Sequence, residues 1–145
     1  MIGRAGFLFR SMEENDGFPA IAMGVGTKYS LSVRPGTDLS ADGSGTVRPG
    51  EGGLSVFRGD PRDLPRFLLP PEFGGTCSKC VLVWAISMFD LGEDLSYRAD
   101  PYSRNHGFVE PSYVMTFARY QEALHATKGR WQRTEHPGIM NSKGR

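Results

Sequence analysis

Apolar and polar positions alternate over short stretches of this chain, and only one late stretch repeats at helical spacing. Gly6-Phe-Leu-Phe-Arg10 is short, aromatic and β-prone, and predicts a first strand. From Ser11 to Gly26 the chain reads as a connection carrying acids, Pro19 and three glycines. Tyr29-Ser-Leu-Ser-Val33 alternates apolar and polar, the signature of a half-buried strand. Leu54-Ser-Val-Phe-Arg58, entered through Gly52-Gly53, predicts another strand. Val81-Leu-Val-Trp-Ala-Ile-Ser87 is apolar on both faces, so it reads as a central, fully buried strand. Asp94-Leu-Ser-Tyr-Arg98 and His106-Gly-Phe-Val-Glu110 predict two more, the second closed by Pro111, which lacks the donor a ladder needs.

The helix begins at Thr116, a good N-cap, with Met115 and Tyr120 placed for a hydrophobic staple. Phe117, Tyr120, Leu124 and Thr127 recur at helical spacing beside Ala123. Gly129 is placed to end the helix, and Trp131 to fold back on its last turn. From Gln132 the chain is polar, which predicts a frayed tail. The pattern predicts one α+β, mostly β domain over 1–131, with one C-terminal helix and a flexible tail over 132–145.

Composition sharpens this outline. Of 145 residues, 19 are glycine and 10 proline, which argues against a helical bundle. The excess is uneven: 15 of the 42 residues from Arg34 to Gly75 are one or the other. Val33-Arg-Pro-Gly36 and Val47-Arg-Pro-Gly50 each predict a type II turn, with proline fixing one φ and glycine supplying the positive one. A formal net charge of +1 gives no global field for nucleic acid or an anionic membrane. The longest apolar run, Val81 to Ile86, is far too short to span a bilayer, and the first residues do not form a signal peptide. These features predict a cytoplasmic protein, or one delivered into a target cell without a classical signal peptide.

Three places could carry chemistry. Cys77-Ser-Lys-Cys80 has the spacing of half a zinc site or of a redox pair. Closure around zinc needs two more ligands, and redox activation favours a helix start rather than the strand-like run that follows. The pair can equally have no chemical role, and no metal is expected. Gly50-Glu-Gly-Gly-Leu-Ser55 is a glycine turn that lets backbone approach a phosphate or nucleotide closely, although neither phosphate-binding glycine motif is present. Ser55 also lacks the flanking glycines of a hydrolase elbow. His106, at a strand start, can point into a cleft and donate to a sugar hydroxyl or phosphate. Along one strand His106 and Glu110 stand about 13 Å apart, too far for one hydrogen-bonded pair. Arg10 can bind a phosphate bidentately or sit as a solvated edge residue.

Three segments taken in order resemble a known family. They are Phe7-Leu-Phe-Arg10, then Gly45-Thr-Val-Arg-Pro-Gly-Glu-Gly-Gly-Leu-Ser-Val-Phe57, then the run from Val83-Trp84 through Leu95 to His106-Gly-Phe-Val-Glu-Pro111, Met115, Tyr120, Leu124 and Trp131. This order resembles the small ADP-ribosyltransferase-like toxins typified by a pseudomonad type VI secretion effector, with relatives in fungi. The matching positions are Ser55, Leu95, Asp100, His106, Pro111, Met115 and Trp131, and the likeness covers residues 6–132. No single motif in it is specific; the ordered set gives the signal.

The resemblance implies a compact pair of sheets with a cleft for NAD, which would be the substrate. It places Ser55 and His106 as the catalytic residues and Arg10 on a phosphate or ribose. Gly53 and Leu54, in the turn before Ser55, would lie against the dinucleotide, and Tyr29 is a candidate to stack on a ring by its residue type. The implied chemistry is displacement at the ribose anomeric carbon with nicotinamide leaving, through a transition state resembling an oxocarbenium ion. The late E-x-E or Q-x-E expected of transferases is absent, since Gln121-Glu122 are adjacent and helical. Hydrolysis of NAD therefore stands beside transfer to an unknown macromolecular acceptor. A cognate immunity protein would be the implied partner. Two other classes stay open: a nuclease-type toxin using His106 and Arg104, and a non-catalytic protein-binding module presenting its Gly/Pro loops.

Overall fold

The computed structural model describes residues 6–21, 29–33, 45–77, 81–136 and 139–140. It is α+β and mostly β. The strands are β1 (Phe7–Met12), β2 (Glu14–Asn15), β3 (Phe18–Pro19), β4 (Thr46–Val47), β5 (Leu54–Arg58), β6 (Leu82–Ser87), β7 (Leu95–Ala99), β8 (His106–Pro111), β9 (Met115–Thr116), β10 (Gln132–His136) and β11 (Ile139–Met140). One helix, α1 (Phe117–His125), precedes β10. The main sheet has seven antiparallel strands in the order β11-β10-β6-β1-β5-β8-β7. Two small ribbons, β2-β3 and β4-β9, accompany it. No helix among the described residues is long and apolar enough to cross a membrane.

Strand periodicity divides the core in two. Leu8 and Met12 of β1, Leu54 and Val56 of β5, and Trp84 and Ile86 of β6 face a first cluster, which α1 closes with Tyr120 and Leu124. The intervening residues Phe9, Phe57, Val83 and Ala85 face a second cluster, closed by Leu64, Leu69 and Phe73. Those last three belong to the proline-rich connection after β5, which folds as three short 3-10 turns. β6 is apolar from Leu82 to Ile86 because both its faces are covered. Trp84 is fully buried, and its indole N–H donates to the Met12 carbonyl at 3.1 Å.

The helix follows its sequence signals at its start, but it ends at His125 with Ala126 as C-cap, and Gly129 lies in the following 3-10 turn, Lys128–Arg130, instead of ending the helix. Thr116 caps it by accepting from the Arg119 amide at 3.1 Å. Met115 and Tyr120 meet in the first cluster, and Trp131 returns to donate to Thr127 Oγ1 at 2.9 Å. Gly50, at the third position of the second Pro-Gly turn, has φ +91° as a type II turn requires. The first copy, at 34–36, lies outside the described residues.

Three local expectations are corrected. Residues 29–33 form bends, not a strand, and their alternation does not divide them between core and water. Leu31 and Val33 are buried in the first cluster, but Ser30 and Ser32 are buried as well. The Ser30 carbonyl accepts from Arg10, and Ser32 Oγ meets His125 Nε2 at 3.0 Å, so the polar positions are covered by side chains from elsewhere. Residues 132–136 are not a tail in this structure: β10 adds to β6, with Gln132 opposite Ala85 and Arg133 opposite Trp84. Thr134 fixes it by donating to the Val83 carbonyl at 3.1 Å. The connection after Arg10 is also shorter than its composition implies. Ser11 and Met12 continue β1, and the β2-β3 hairpin turns at Asp16-Gly17.

Burial pushes the His125 imidazole below its ordinary value of 6.5. The unfolded chain then takes up a proton at higher pH than the folded chain. Stability is full above about pH 6.5 and falls as pH drops through the folded value. The urea midpoint is expected to be lower at pH 5 than at pH 7.5, and His125→Gln is expected to shrink that difference.

Candidate functional site

β5 and β8 pair in a register that sets Phe57 opposite His106 and Ser55 opposite Phe108. Paired residues share a face, so Ser55 and His106 are diagonal neighbours on the side of the sheet that carries the second core cluster. Ser55 Oγ lies 2.5 Å from His106 Nε2. His106 Nδ1 lies 2.8 Å from Asp100 Oδ2. The three side chains thus form one hydrogen-bonded line from the strand to the turn after β7.

The local chain explains each position. Residues 100–105 make a tight turn in which Asn105 takes φ +64°, a conformation asparagine tolerates. The His106 carbonyl accepts from the Asp100 amide at 2.9 Å, which closes the turn. Asp100 Oδ1 accepts from the Tyr102 amide at 2.9 Å. That amide, followed by the His106 hydrogen bond, holds the Asp100 carboxyl below the usual carboxylate range. An ionised carboxylate can only accept, so in the neutral imidazole the proton sits on Nδ1. Nε2 is left as acceptor for the Ser55 hydroxyl. The His106 ring is flanked by Phe57 and Phe108, each with its ring centre 4.9 Å away. The side chains of His106 and Asp100 are each 17% exposed, so the line is reachable from solvent.

β1 and β5 pair only at Leu8–Arg58 and Phe9–Phe57. The next positions in that register are Arg10 with Val56 and Ser11 with Ser55, and there the ladder stops. The Arg10 side chain takes its place. Nη1 donates to the Ser55 carbonyl at 2.8 Å, while Nη2 and Nε donate to the Ser30 carbonyl at 2.8 and 3.2 Å. A recess of about 30 Å³ opens where the strands part, lined by Arg10, Ser11, Ser55, Phe57, Leu64 and Leu68. Its volume suits a single small polar group. Ser11 Oγ is buried and has no hydrogen-bond partner among the described residues.

No protein-family model, curated protein or solved structure matches the chain.

The geometry sorts the residues singled out in the sequence. Ser55 and His106 are brought together, and Arg10 joins them through the Ser55 backbone. Arg10 is 8% exposed, so its guanidinium serves carbonyls of its own chain. Arg10→Met would leave the Ser55 and Ser30 carbonyls short of donors. A loss of about 2 kcal/mol is expected, read as a lower chemical-unfolding midpoint.

Gly53 and Leu54 are held by the core. The Leu54 side chain is buried, and its amide donates to Tyr120 Oη at 3.1 Å. A Cβ on Gly53 would fall 2.5 Å from the Val109 carbonyl oxygen, so the close approach this glycine allows is to β8. Tyr29 lies beside Cys77, and burial, then the hydrogen bond to that thiol, raises its phenol above the ordinary range. Cys77 is buried, whereas Cys80 lies outside the described residues. Among the described residues, no three His, Cys, Asp or Glu side chains are grouped to hold a metal ion. Glu110 takes Arg98 Nε at 2.8 Å and the Gly50 amide at 2.9 Å, away from His106.

The ordered set of sequence positions contains Asp100 but assigns it no role. The acid six residues before the histidine was the available signal. Ser11 carried none, being one serine in a connection.

Proposed function

We propose that the chain is an NAD-using toxin domain, an ADP-ribosyltransferase or NAD glycohydrolase acting inside a target cell. The observation that carries this reading is the line Ser55–His106–Asp100. Three of the seven positions in the ordered resemblance, up to 51 residues apart, meet in one hydrogen-bonded array. The other four support the same frame: Leu95, Met115 and Trp131 belong to the first core cluster, and Pro111 pairs with Leu95. NAD would be the substrate, with nicotinamide displaced from the ribose anomeric carbon and ADP-ribose passed to water or to a macromolecule. A cognate immunity protein would cover this face in the producing cell.

A Ser–His–Asp line also serves acyl hydrolysis, but its setting here favours displacement at an acetal carbon. Ser55 sits inside β5, paired to β8, instead of on a strand-to-helix turn whose amides would stabilise an oxyanion. Displacement at an anomeric carbon develops positive charge and needs no oxyanion hole.

The test is inducible expression in a bacterium with cellular NAD followed over time. Wild type is expected to deplete NAD before growth stops, and the Ser55→Ala/His106→Ala double variant to leave both intact. Equal killing by that variant sinks the reading. RNA breakdown ahead of NAD loss would transfer it to the nuclease class, and harmless expression with no NAD turnover to a binding module.

A further inference from the structure

His106 Nε2 is occupied by the chain's own serine. At 2.5 Å the Ser55 hydroxyl is the proton donor nearest that nitrogen, so a water or acceptor hydroxyl could use it only by displacing Ser55. Among the described residues, the two carboxylates between Leu95 and Pro111 are engaged as well. Asp100 accepts from His106 and the Tyr102 amide, and Glu110 from Arg98 and the Gly50 amide. Neither is presented to a ribose as the nucleophile of a retaining glycosidase would be. A hydroxyl bonded to an imidazole whose far nitrogen is held by a carboxylate is the arrangement that turns a weak nucleophile into an attacking one.

We propose that Ser55 is a covalent nucleophile, and that turnover passes through an O-linked ADP-ribosyl-serine. This rests on the NAD reading above. In the first step Ser55 Oγ bonds to the ribose anomeric carbon as its proton passes to His106 Nε2. The bond from that carbon to the nicotinamide nitrogen breaks, its electron pair stays on the ring, and neutral nicotinamide leaves. Asp100 is a positioning residue that holds the imidazolium. In the second step a water oxygen bonds to the same carbon, the carbon–Oγ bond breaks, and His106 returns the proton to Oγ. The water releases one proton to solvent, which balances the conversion of NAD and water to ADP-ribose, nicotinamide and a proton. An acceptor hydroxyl in place of water gives transfer. Two inversions leave the configuration retained. A serine hydroxyl leaves an anomeric carbon less readily than nicotinamide leaves NAD, so the second step is the slower one and the intermediate accumulates.

Two measurements on the purified chain test this. The first uses a fluorophosphonate reagent, which labels activated serines without NAD. Ser55 is expected to react, while Ser96 and Ser112, bonded to each other at 2.6 Å, serve as unreactive controls. His106→Ala is expected to slow labelling by about 10²–10⁴-fold, and Asp100→Asn by at least about tenfold. Asp100→Glu should restore part of the Asp100→Asn loss at an unchanged unfolding temperature, which a merely structural role would not produce. The second is acid quenching after mixing with NAD, followed by peptide mass mapping, with an ADP-ribosyl adduct expected on Ser55. Nicotinamide release with no Ser55 adduct at any quench time overturns the covalent intermediate. Labelling of Ser55 no faster than of Ser96 overturns the activated serine. Rapid labelling with no NAD turnover sinks the NAD reading and the glycosyl step while upholding the nucleophile.

Discussion

If the chain turns over NAD as proposed, exchanging His106 for alanine is expected to cut nicotinamide release by about 10²–10⁴-fold, the range a positioned proton-transfer group contributes. The loss follows from its two bonds. His106 is the acceptor 2.5 Å from Ser55 Oγ and the donor to Asp100, so its removal disconnects the hydroxyl from the carboxylate. The fold should hardly notice. His106 is 17% exposed at a strand start, and Asp100 keeps its amide partner at Tyr102. A destabilisation of about 1 kcal/mol would move the melting temperature by only a few degrees. Steady-state nicotinamide release beside a thermal melt separates the two effects. A variant that melts like wild type and retains its rate would remove His106 from the chemistry.

Gly53→Ala is expected to do the reverse and break the platform. The new Cβ would lie 2.5 Å from the Val109 carbonyl oxygen, 2.9 Å from Tyr120 Oη and 3.2 Å from Glu110 Cα. Two of these are backbone atoms of β8 and cannot swing aside. Tyr120 Oη is pinned between the Leu54 amide and the Val109 carbonyl. Relief requires β5 and β8 to part beside the pairs that hold Ser55 against His106. Overpacking of this kind costs about 1–3 kcal/mol, and the backbone clash places Gly53 at the upper end. A fall in melting temperature of roughly 10 °C is expected, with a parallel loss of activity. Gly50→Ala is the control. Nothing lies within 4 Å of its added Cβ, so it carries only the strain of φ +91°, about 1–2 kcal/mol. Equal melting temperatures for the two variants would show that the β8 contact does not govern Gly53.

Local structure was legible in the sequence wherever its cause was local. β5 spans the residues predicted for it, and α1 starts at Thr116 as its cap and staple require. β6 is central because six consecutive apolar residues can only be covered on both faces. The pattern failed where covering came from far away. The serines of 30–32 looked solvent-facing, yet Arg10 and His125 reach them from 20 and 93 residues off. Residues 132–136 looked too polar for a sheet, yet β6 had an open edge for them and Thr134 found the Val83 carbonyl.

The candidate site divides in the same way. By itself the sequence determined the strand carrying Ser55 and the strand start carrying His106; the turn that brings Asp100 back to His106 closes within six residues, but only the structure showed that contact. The sequence also determined that both strands alternate faces. Only the tertiary structure decided that β5 and β8 are neighbours, and in the register that makes Ser55 and His106 diagonal partners. A slip of one residue would have put one of them on the opposite face. The tertiary structure likewise turned Arg10 inward to carbonyls left over where β1 parts from β5. Pairing between strands about fifty residues apart depends on what each buries against the other, and no window along the chain contains both sides of that contact.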